Sequence, residues 1–130
     1  MNLILDTCAI IWSWAQPQEL TEKAKISIEN KNNNIIVSAI SLAEIACLCI
    51  SKRIVLNKHW KIWFKEIIKE NDWKIVPISP EIIEEAYSLP DIFHKDPADR
   101  FIVATTRIYQ GSLITSDLKI RNYPHVNTIW

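Results

Sequence analysis

Short apolar runs alternate along the chain with longer segments whose apolar residues recur at helical spacing. Most runs lack the apolar–polar alternation of a half-exposed strand, which is typical of strands buried on both faces. The predicted strands lie near residues 2–5, 35–37, 74–77, 113–115 and 126–129. The predicted helices lie near residues 7–15, 21–30, 41–51, 57–70, 79–88 and 96–110. The alternation predicts an α/β fold of three layers, with a mainly parallel sheet between helices, in one domain over residues 1–130.

Residues suited to capping stand at the starts of several predicted helices. Ser41 with Glu44 three positions later has the pattern of a capping box. Asp96 is likewise a predicted helix cap, because a proline follows it at the first helical position and Asp99 stands three positions later. Asn57 is the predicted cap of the helix that ends near residue 70.

The overall composition excludes several classes of protein. Lys and Arg number 15 and Asp and Glu number 15, so a polybasic nucleic-acid binder is excluded as a description of the whole chain. The single glycine, Gly111, excludes glycine-rich phosphate-binding loops. Any contact with nucleic acid therefore depends on local groups of residues.

The cysteines and the apolar runs bear on location. An odd count of cysteines, at Cys8, Cys47 and Cys49, predicts neither a disulfide framework nor a zinc site, and we expect buried free thiols. Asp6 interrupts the apolar start, which argues against a signal peptide. No uncharged apolar run approaches the length that spans a bilayer. These features predict a cytoplasmic protein without a membrane partner.

Four acidic residues follow predicted strands or stand in the first turns of predicted helices: Asp6, Glu44, Asp99 and Asp117. Each alone is typical of a helix cap. However, the strand-to-helix junctions of an open parallel sheet converge where ligands bind. Charges about 5 Å apart there would repel by roughly 3 kcal/mol per pair at an effective dielectric of about 20. Such a cluster calls for a hard divalent cation such as Mg²⁺ or Mn²⁺, unless one acid keeps its proton.

Four segments of the sequence also carry a family resemblance. They are LILDT at 3–7, SAISLAEI at 38–45, HKDPADRFIVA at 94–104 and LITSD at 113–117. In this order they resemble the four motifs of PIN-domain nucleases of the VapC toxin family, over nearly the whole chain. The resemblance implies a five-stranded parallel sheet, a Mg²⁺ or Mn²⁺ site, cleavage of single-stranded RNA, a homodimer and a cognate antitoxin partner.

The four acids fall on the acidic positions of those motifs, and the resemblance makes Asp6 and Asp99 the most direct metal ligands. Our hypothesis is metal-assisted phosphodiester hydrolysis, with Asp6, Asp99 and Asp117 holding the cation and Glu44 completing the site or orienting water. His94 invites a general-acid role, but a lone histidine before a helix is more often a hydrogen-bonded loop residue. Further residues are expected to support the ligands or contact phosphate: Thr7, Asp96, Arg100 and Thr115.

Two alternatives remain open from the sequence. A phosphohydrolase could use Asp6 as its nucleophile, although Asp6-Thr7-Cys8 lacks the second aspartate of the Asp-x-Asp pattern that haloacid-dehalogenase-like enzymes carry. A non-catalytic binding module would use the acids only as caps, and it predicts carboxylates that are separated in space.

Overall fold

A computed structural model describes residues 1–130 of the chain. Five strands form one sheet in the order β3-β2-β1-β4-β5, and every neighbouring pair is parallel. The strands are β1 Asn2–Leu5, β2 Asn34–Ser38, β3 Lys74–Val76, β4 Ser112–Ile114 and β5 Thr128–Ile129. The predicted α/β fold with a five-stranded parallel sheet is confirmed.

Seven α-helices connect and cover the strands. They are α1 Thr7–Ala15, α2 Glu22–Glu29, α3 Ala39–Ile50, α4 Trp60–Glu70, α5 Pro80–Ala86, α6 Pro97–Ile108 and α7 Leu118–Arg121. A single 3₁₀ turn, Pro17–Glu19, follows α1. None of the helices is long and apolar enough to cross a membrane.

Successive residues of the buried strands point to opposite faces of the sheet and so supply two hydrophobic cores. On one face, Leu3 and Leu5 pack with buried residues of α1, α2, α3 and α4. On the other face, Ile4 packs with Ile102 of α6 and Ile120 of α7. Helix α5 packs against the outer side of α6. This burial on both faces explains why the strand sequences are continuously apolar.

Two predicted helix starts are wrong, for a local reason. Helix α3 begins at Ala39 because the Ser38 hydroxyl accepts a hydrogen bond from the Ile40 amide at 3.2 Å. Ser41 is therefore inside the helix and fully buried, and the predicted capping box does not form. Likewise α4 begins at Trp60, because the imidazole of His59, rather than Asn57, accepts from the Lys61 amide.

The cysteines also differ from expectation. Cys8 and Cys47 are exposed and Cys49 is half-buried, so the prediction of buried thiols is wrong. Both exposed cysteines lie on helices whose buried positions are taken by other residues: Ala9, Ile10 and Ile11 in α1, and Ser41 and Ile45 in α3.

The lone glycine is required by the approach of β4 to β1. A Cβ atom at Gly111 would lie 2.5 Å from the carbonyl oxygen of Asn2 and 2.9 Å from Cδ1 of Ile4. The preceding residue, Gln110, has φ of 52°, which turns the chain sharply at the end of α6. Only a residue without a side chain can enter β4 so close to β1.

The strand order reverses at β1. From β1 the chain moves to β2 on one side, and β4 later returns to the other side. The loops that follow β1 and β4 therefore diverge and leave a crevice at the carboxyl ends of the strands, where open α/β sheets bind ligands.

Candidate active site

Asp6 stands at the reversal of strand order, directly after β1. Its amide donates to the carbonyl of Ile114 at 3.0 Å, which extends the pairing of β1 with β4. One carboxylate oxygen accepts from the Thr7 amide at 2.8 Å as the cap of α1. The other accepts from the Thr115 hydroxyl at 2.6 Å. Asp6 therefore caps a helix and is also held from the neighbouring strand, with both carboxylate oxygens fixed.

Glu44 reaches the same edge of the sheet from the second turn of α3. The Thr7 hydroxyl donates to Glu44 Oε1 at 2.5 Å and lies 2.9 Å from the buried hydroxyl of Ser41. Thr7 thus ties the start of α1 to α3 and fixes the carboxylate of Glu44. Thr7 and Glu44 are both residues that the sequence predicts at the site, whereas the role of Ser41 was not predicted, because its spacing is that of a helix cap.

Asp99 stands in the first turn of α6, as predicted, and its side chain is 16% exposed. Nε2 of His94 lies 3.1 Å from Asp99 Oδ2, although the two groups are not aligned for a hydrogen bond and Nε2 has no other partner. Burial, followed by the charges of the neighbouring acids, raises the pKa of Asp99 to about 7. The contact places His94 beside a carboxylate rather than free in the loop.

Asp117 and Asp96 complete the acidic edge. Asp117 follows β4, and its carboxylate accepts from the Lys119 amide at 2.8 Å as the cap of α7. Its own amide donates to the Thr115 hydroxyl at 3.1 Å. Asp96 is exposed and caps α6 through the Ala98 amide at 2.9 Å, which agrees with the expected capping role.

The charges of these acids act on one another. Desolvation by burial is the main cause that raises the pKa of Asp6 and of Glu44. The charges of Asp117 and Asp96 raise the pKa of Asp6 further, while the hydrogen bond from Thr115 lowers it. All the other acids of the cluster contribute to the raised pKa of Asp99. The acids that the sequence spreads over more than a hundred residues therefore share one electrostatic environment.

This donor set fits a hard divalent cation by its chemistry and its charge. The available donors are carboxylate and hydroxyl oxygens, the ligands that Mg²⁺ and Mn²⁺ prefer. Burial first, and then the charges of the neighbouring acids, raise the pKa of Asp6, Glu44 and Asp99, and a bound cation would favour their ionised forms. No three His, Cys, Asp or Glu side chains stand close enough here to ligate one ion, so binding would draw the carboxylates together.

A sequence model of the PIN domain matches residues 3–126. The chain belongs to the PIN-domain family.

Solved structures with the same fold cover almost the whole PIN domain. VapBC2 from Rickettsia felis, bound to a DNA fragment from its promoter, is 20% identical with a TM-score of 0.70, over 99% of this chain and 98% of that chain. A toxin–antitoxin complex from Klebsiella pneumoniae is 18% identical, with a TM-score of 0.64 over 98% and 96%. FitAcB from Neisseria gonorrhoeae is also 18% identical, with a TM-score of 0.62 over 98% and 96%. The comparison with curated protein sequences gives no match.

Arg100 of this PIN domain does not contact the acids, contrary to expectation. Its guanidinium donates to the carbonyls of Ala86 and Phe93, both at 3.0 Å. The same group lies over the rings of Tyr87 and Phe93, at 5.5 and 5.9 Å from their centroids. Arg100 joins the end of α5 to the middle of the loop between α5 and α6, and these two donors face protein carbonyls instead of a phosphate.

Cys8 is a neighbour of the acidic cluster that the sequence analysis did not place there. The residue is exposed, yet partial burial of its thiol and the charges of the four acids together raise its pKa to about 11. The thiol is therefore protonated at neutral pH. The sequence signal for this placement is that Cys8 directly follows Thr7, on the first turn of α1.

Proposed function

We propose that this PIN domain is a Mg²⁺- or Mn²⁺-dependent endoribonuclease that acts as the toxin of a toxin–antitoxin pair. The observation that carries the proposal is the group of Asp6, Glu44, Asp99 and Asp117 at the reversal of strand order, with the pKa values of Asp6, Glu44 and Asp99 raised by burial and mutual repulsion. The structures with the same fold support the biological role, because one is described as a toxin–antitoxin complex and another as a member of the VapBC family of toxin–antitoxin systems.

Asp6, Asp99 and Asp117 are the proposed metal ligands. A divalent cation at such a site polarises a phosphate oxygen and makes water more acidic. Thr115 donates to Asp6 and so keeps one carboxylate oxygen oriented at the end of β1. Asp96 caps α6 and adds negative charge beside the ligands.

Glu44 is the proposed acceptor for the proton of the attacking water. Its raised pKa makes it a stronger base than an exposed glutamate, and Thr7 holds one of its oxygens in place. The water oxygen would form a bond to phosphorus while the bond from phosphorus to the 3′ oxygen breaks. The 3′ oxygen takes a proton, so the products carry a 3′-hydroxyl and a 5′-phosphate.

Both alternatives are less consistent with the site. Asp6 as a nucleophile would need the second aspartate of the Asp-x-Asp pattern, and Cys8 stands at that position. A binding module that uses the acids only as caps does not account for Glu44 and Asp99, which cap no helix: Glu44 is held by the Thr7 hydroxyl next to Asp6, and Asp99 lies beside His94.

The proposal includes two protein partners. A homodimer and a cognate antitoxin are expected from the resemblance, and an antitoxin that covers the acidic edge would block access of RNA. The mass of the purified chain in solution, measured by light scattering, tests the dimer.

Cleavage of RNA tests the proposed activity directly. Purified protein should cleave labelled single-stranded RNA when Mn²⁺ is present, and cleavage should stop when a chelator removes the metal. Asp6→Asn should lower the rate by about 100-fold or more, because it removes a carboxylate that the reaction uses. Glu84→Gln, which also removes one carboxylate but on the exposed side of α5, is the control and should cleave like the wild type.

The reverse result would end the proposal. A wild type that cleaves no RNA with Mn²⁺ or Mg²⁺, or cleavage that persists in Asp6→Asn, would exclude this reaction at this site. Growth arrest on expression should disappear in the same variant.

A further inference from the structure

A second concave surface adjoins the acidic cluster on the side of the loop that precedes α6. It encloses about 270 Å³, and its lining includes Ile92, His94, Lys119 and Asn122. His94 joins the two features because its ring lines the cavity while its Nε2 lies 3.1 Å from Asp99. Lys119 belongs to α7, which begins directly after Asp117. The cavity therefore lies beside the proposed metal site, with the ring of His94 between the two.

The wall of the cavity is apolar and rigidly supported. The rings of Phe93 and Tyr123 lie 4.7 Å apart, both residues are buried, and both border the cavity. Ile92 is 96% exposed at the rim, next to Asp91, whose φ of 58° turns the loop outward. This exposed side chain extends the apolar surface of the cavity beyond Phe93 and Tyr123.

Two polar side chains that line the cavity have no hydrogen-bond or ion-pair partner within the chain. Lys119 and Asn122 are exposed, and neither side chain makes a hydrogen bond or an ion pair. An amide presents donors and an acceptor that can pair with the edge of a base. An ammonium group neutralises a phosphate, which is needed beside an acidic cluster that repels nucleic acid. Arg100 is directed away from this role, because two of its N–H groups donate to the carbonyls of Ala86 and Phe93.

We propose that this cavity is a nucleotide subsite, which holds the base and phosphate of a nucleotide next to the cleaved bond of single-stranded RNA. Lys119 contacts the phosphate, Asn122 reads the edge of the base, and the apolar wall contacts its face. The inference rests on the proposed nuclease function and adds to it the residues that select the site of cleavage. Single-stranded RNA offers bases whose faces and edges are both free for such contacts.

Binding of RNA without cleavage tests the subsite. In the Asp6→Asn background, fluorescence anisotropy would follow single-stranded RNA homopolymers of about 12 nucleotides. Lys119→Ala should weaken binding of every homopolymer about 3- to 10-fold. It should also reduce the slope of log affinity against log salt concentration by about 1, which corresponds to one lost phosphate contact. Asn122→Ala should instead reduce the difference in affinity between the best- and worst-bound homopolymers. Lys23→Ala and Asn32→Ala, which alter exposed residues away from the cavity, are the matched controls.

The second measurement is cleavage of a mixed-sequence RNA by variants that retain Asp6. Asn122→Ala should change the pattern of cleaved positions while the dependence on Mn²⁺ stays the same. If Lys119→Ala and Asn122→Ala match their controls in binding and in cleavage pattern, the subsite is excluded, while cleavage by the wild type would still support the nuclease.

Two other outcomes separate the subsite from the wider proposal. If the wild type cleaves no RNA but binding still depends on Lys119 and Asn122, the nuclease fails and the nucleotide site stands. If the two variants leave RNA binding unchanged and instead alter the oligomeric state, the cavity is a protein contact and the subsite is excluded.

Discussion

Replacing Asp99 with asparagine should stabilise the metal-free protein at neutral and alkaline pH. Burial and the neighbouring acids raise the pKa of Asp99 from 3.8 to about 7, so its ionised form is disfavoured in the folded chain. Asparagine keeps the size of the side chain and removes the charge. The proposed metal ligand is thus expected to be a destabilising residue in the absence of metal.

The magnitude follows from the shift in pKa. The difference of about 3 pH units, at 1.36 kcal/mol per unit, places the cost of the ionised carboxylate at up to about 4 kcal/mol. The side chain is only 16% exposed, so solvent screens a minor part of this cost. We expect Asp99→Asn to gain about 2 kcal/mol at pH 8, which raises Tm by roughly 6–10 °C for a chain of this size.

The pH dependence identifies the cause. The unfolded chain releases the Asp99 proton near pH 4 and the folded chain near pH 7. Between these values the folded state binds more protons, so the free energy of unfolding of the wild type falls as pH rises. The difference between wild type and Asp99→Asn should therefore be small near pH 4 and reach its full size above pH 7.

Thermal unfolding from pH 4 to pH 8.5, with and without Mn²⁺, measures this difference. Mn²⁺ should raise the Tm of the wild type more than that of Asp99→Asn. Glu84→Gln removes an exposed carboxylate and should not reproduce the pH-dependent gain. Two results would show that ionisation of Asp99 does not destabilise the folded chain. One is an Asp99→Asn variant that is less stable than the wild type at pH 8, and the other is a gain in stability that has the same size at every pH.

Three other substitutions test separate contacts. Thr115→Val removes the hydrogen bond that lowers the pKa of Asp6, so cleavage should need more Mn²⁺, and its loss should be larger at pH 6 than at pH 8; an unchanged Mn²⁺ titration would contradict this role. Arg100→Met leaves two loop carbonyls without their charged donor and should cost about 2–4 kcal/mol in urea unfolding, whereas a stability equal to wild type would show that the loop is held by other contacts. Gly111→Ala places a Cβ against the backbone of Asn2 and should lower Tm by several degrees in a thermal melt, unless β1 and β4 can separate without cost.

The sequence predicted the elements whose signals are local. Buried parallel strands such as residues 2–5 are continuously apolar, and α1 occupies the residues expected for it. Asp6 and Asp99 could be placed because they stand at strand-to-helix or loop-to-helix junctions, and such junctions of a parallel sheet converge at one edge. The position of these acids in sequence thus carried most of the information about the site.

The remaining features depend on contacts between distant segments. Ser41 looks like a cap by its own spacing, but Ser38 takes that role and Ser41 bonds to Thr7 instead. Arg100 stands beside an acid in sequence, yet the helix directs its side chain to the loop between α5 and α6. Neither partner can be deduced from spacing along the chain, because each lies on another element of the folded structure.

The pairing of β1 with β4 has a consequence for synthesis. Leu3 lies beside Ser112, and Thr115 holds Asp6 across 109 positions of sequence. Because a ribosome releases the chain from its amino end, Asp6 emerges long before the strand that orients it. A chain still being translated therefore lacks an assembled centre until Thr115 has left the exit tunnel, so a nascent copy of the proposed nuclease should spare the message from which it is being read.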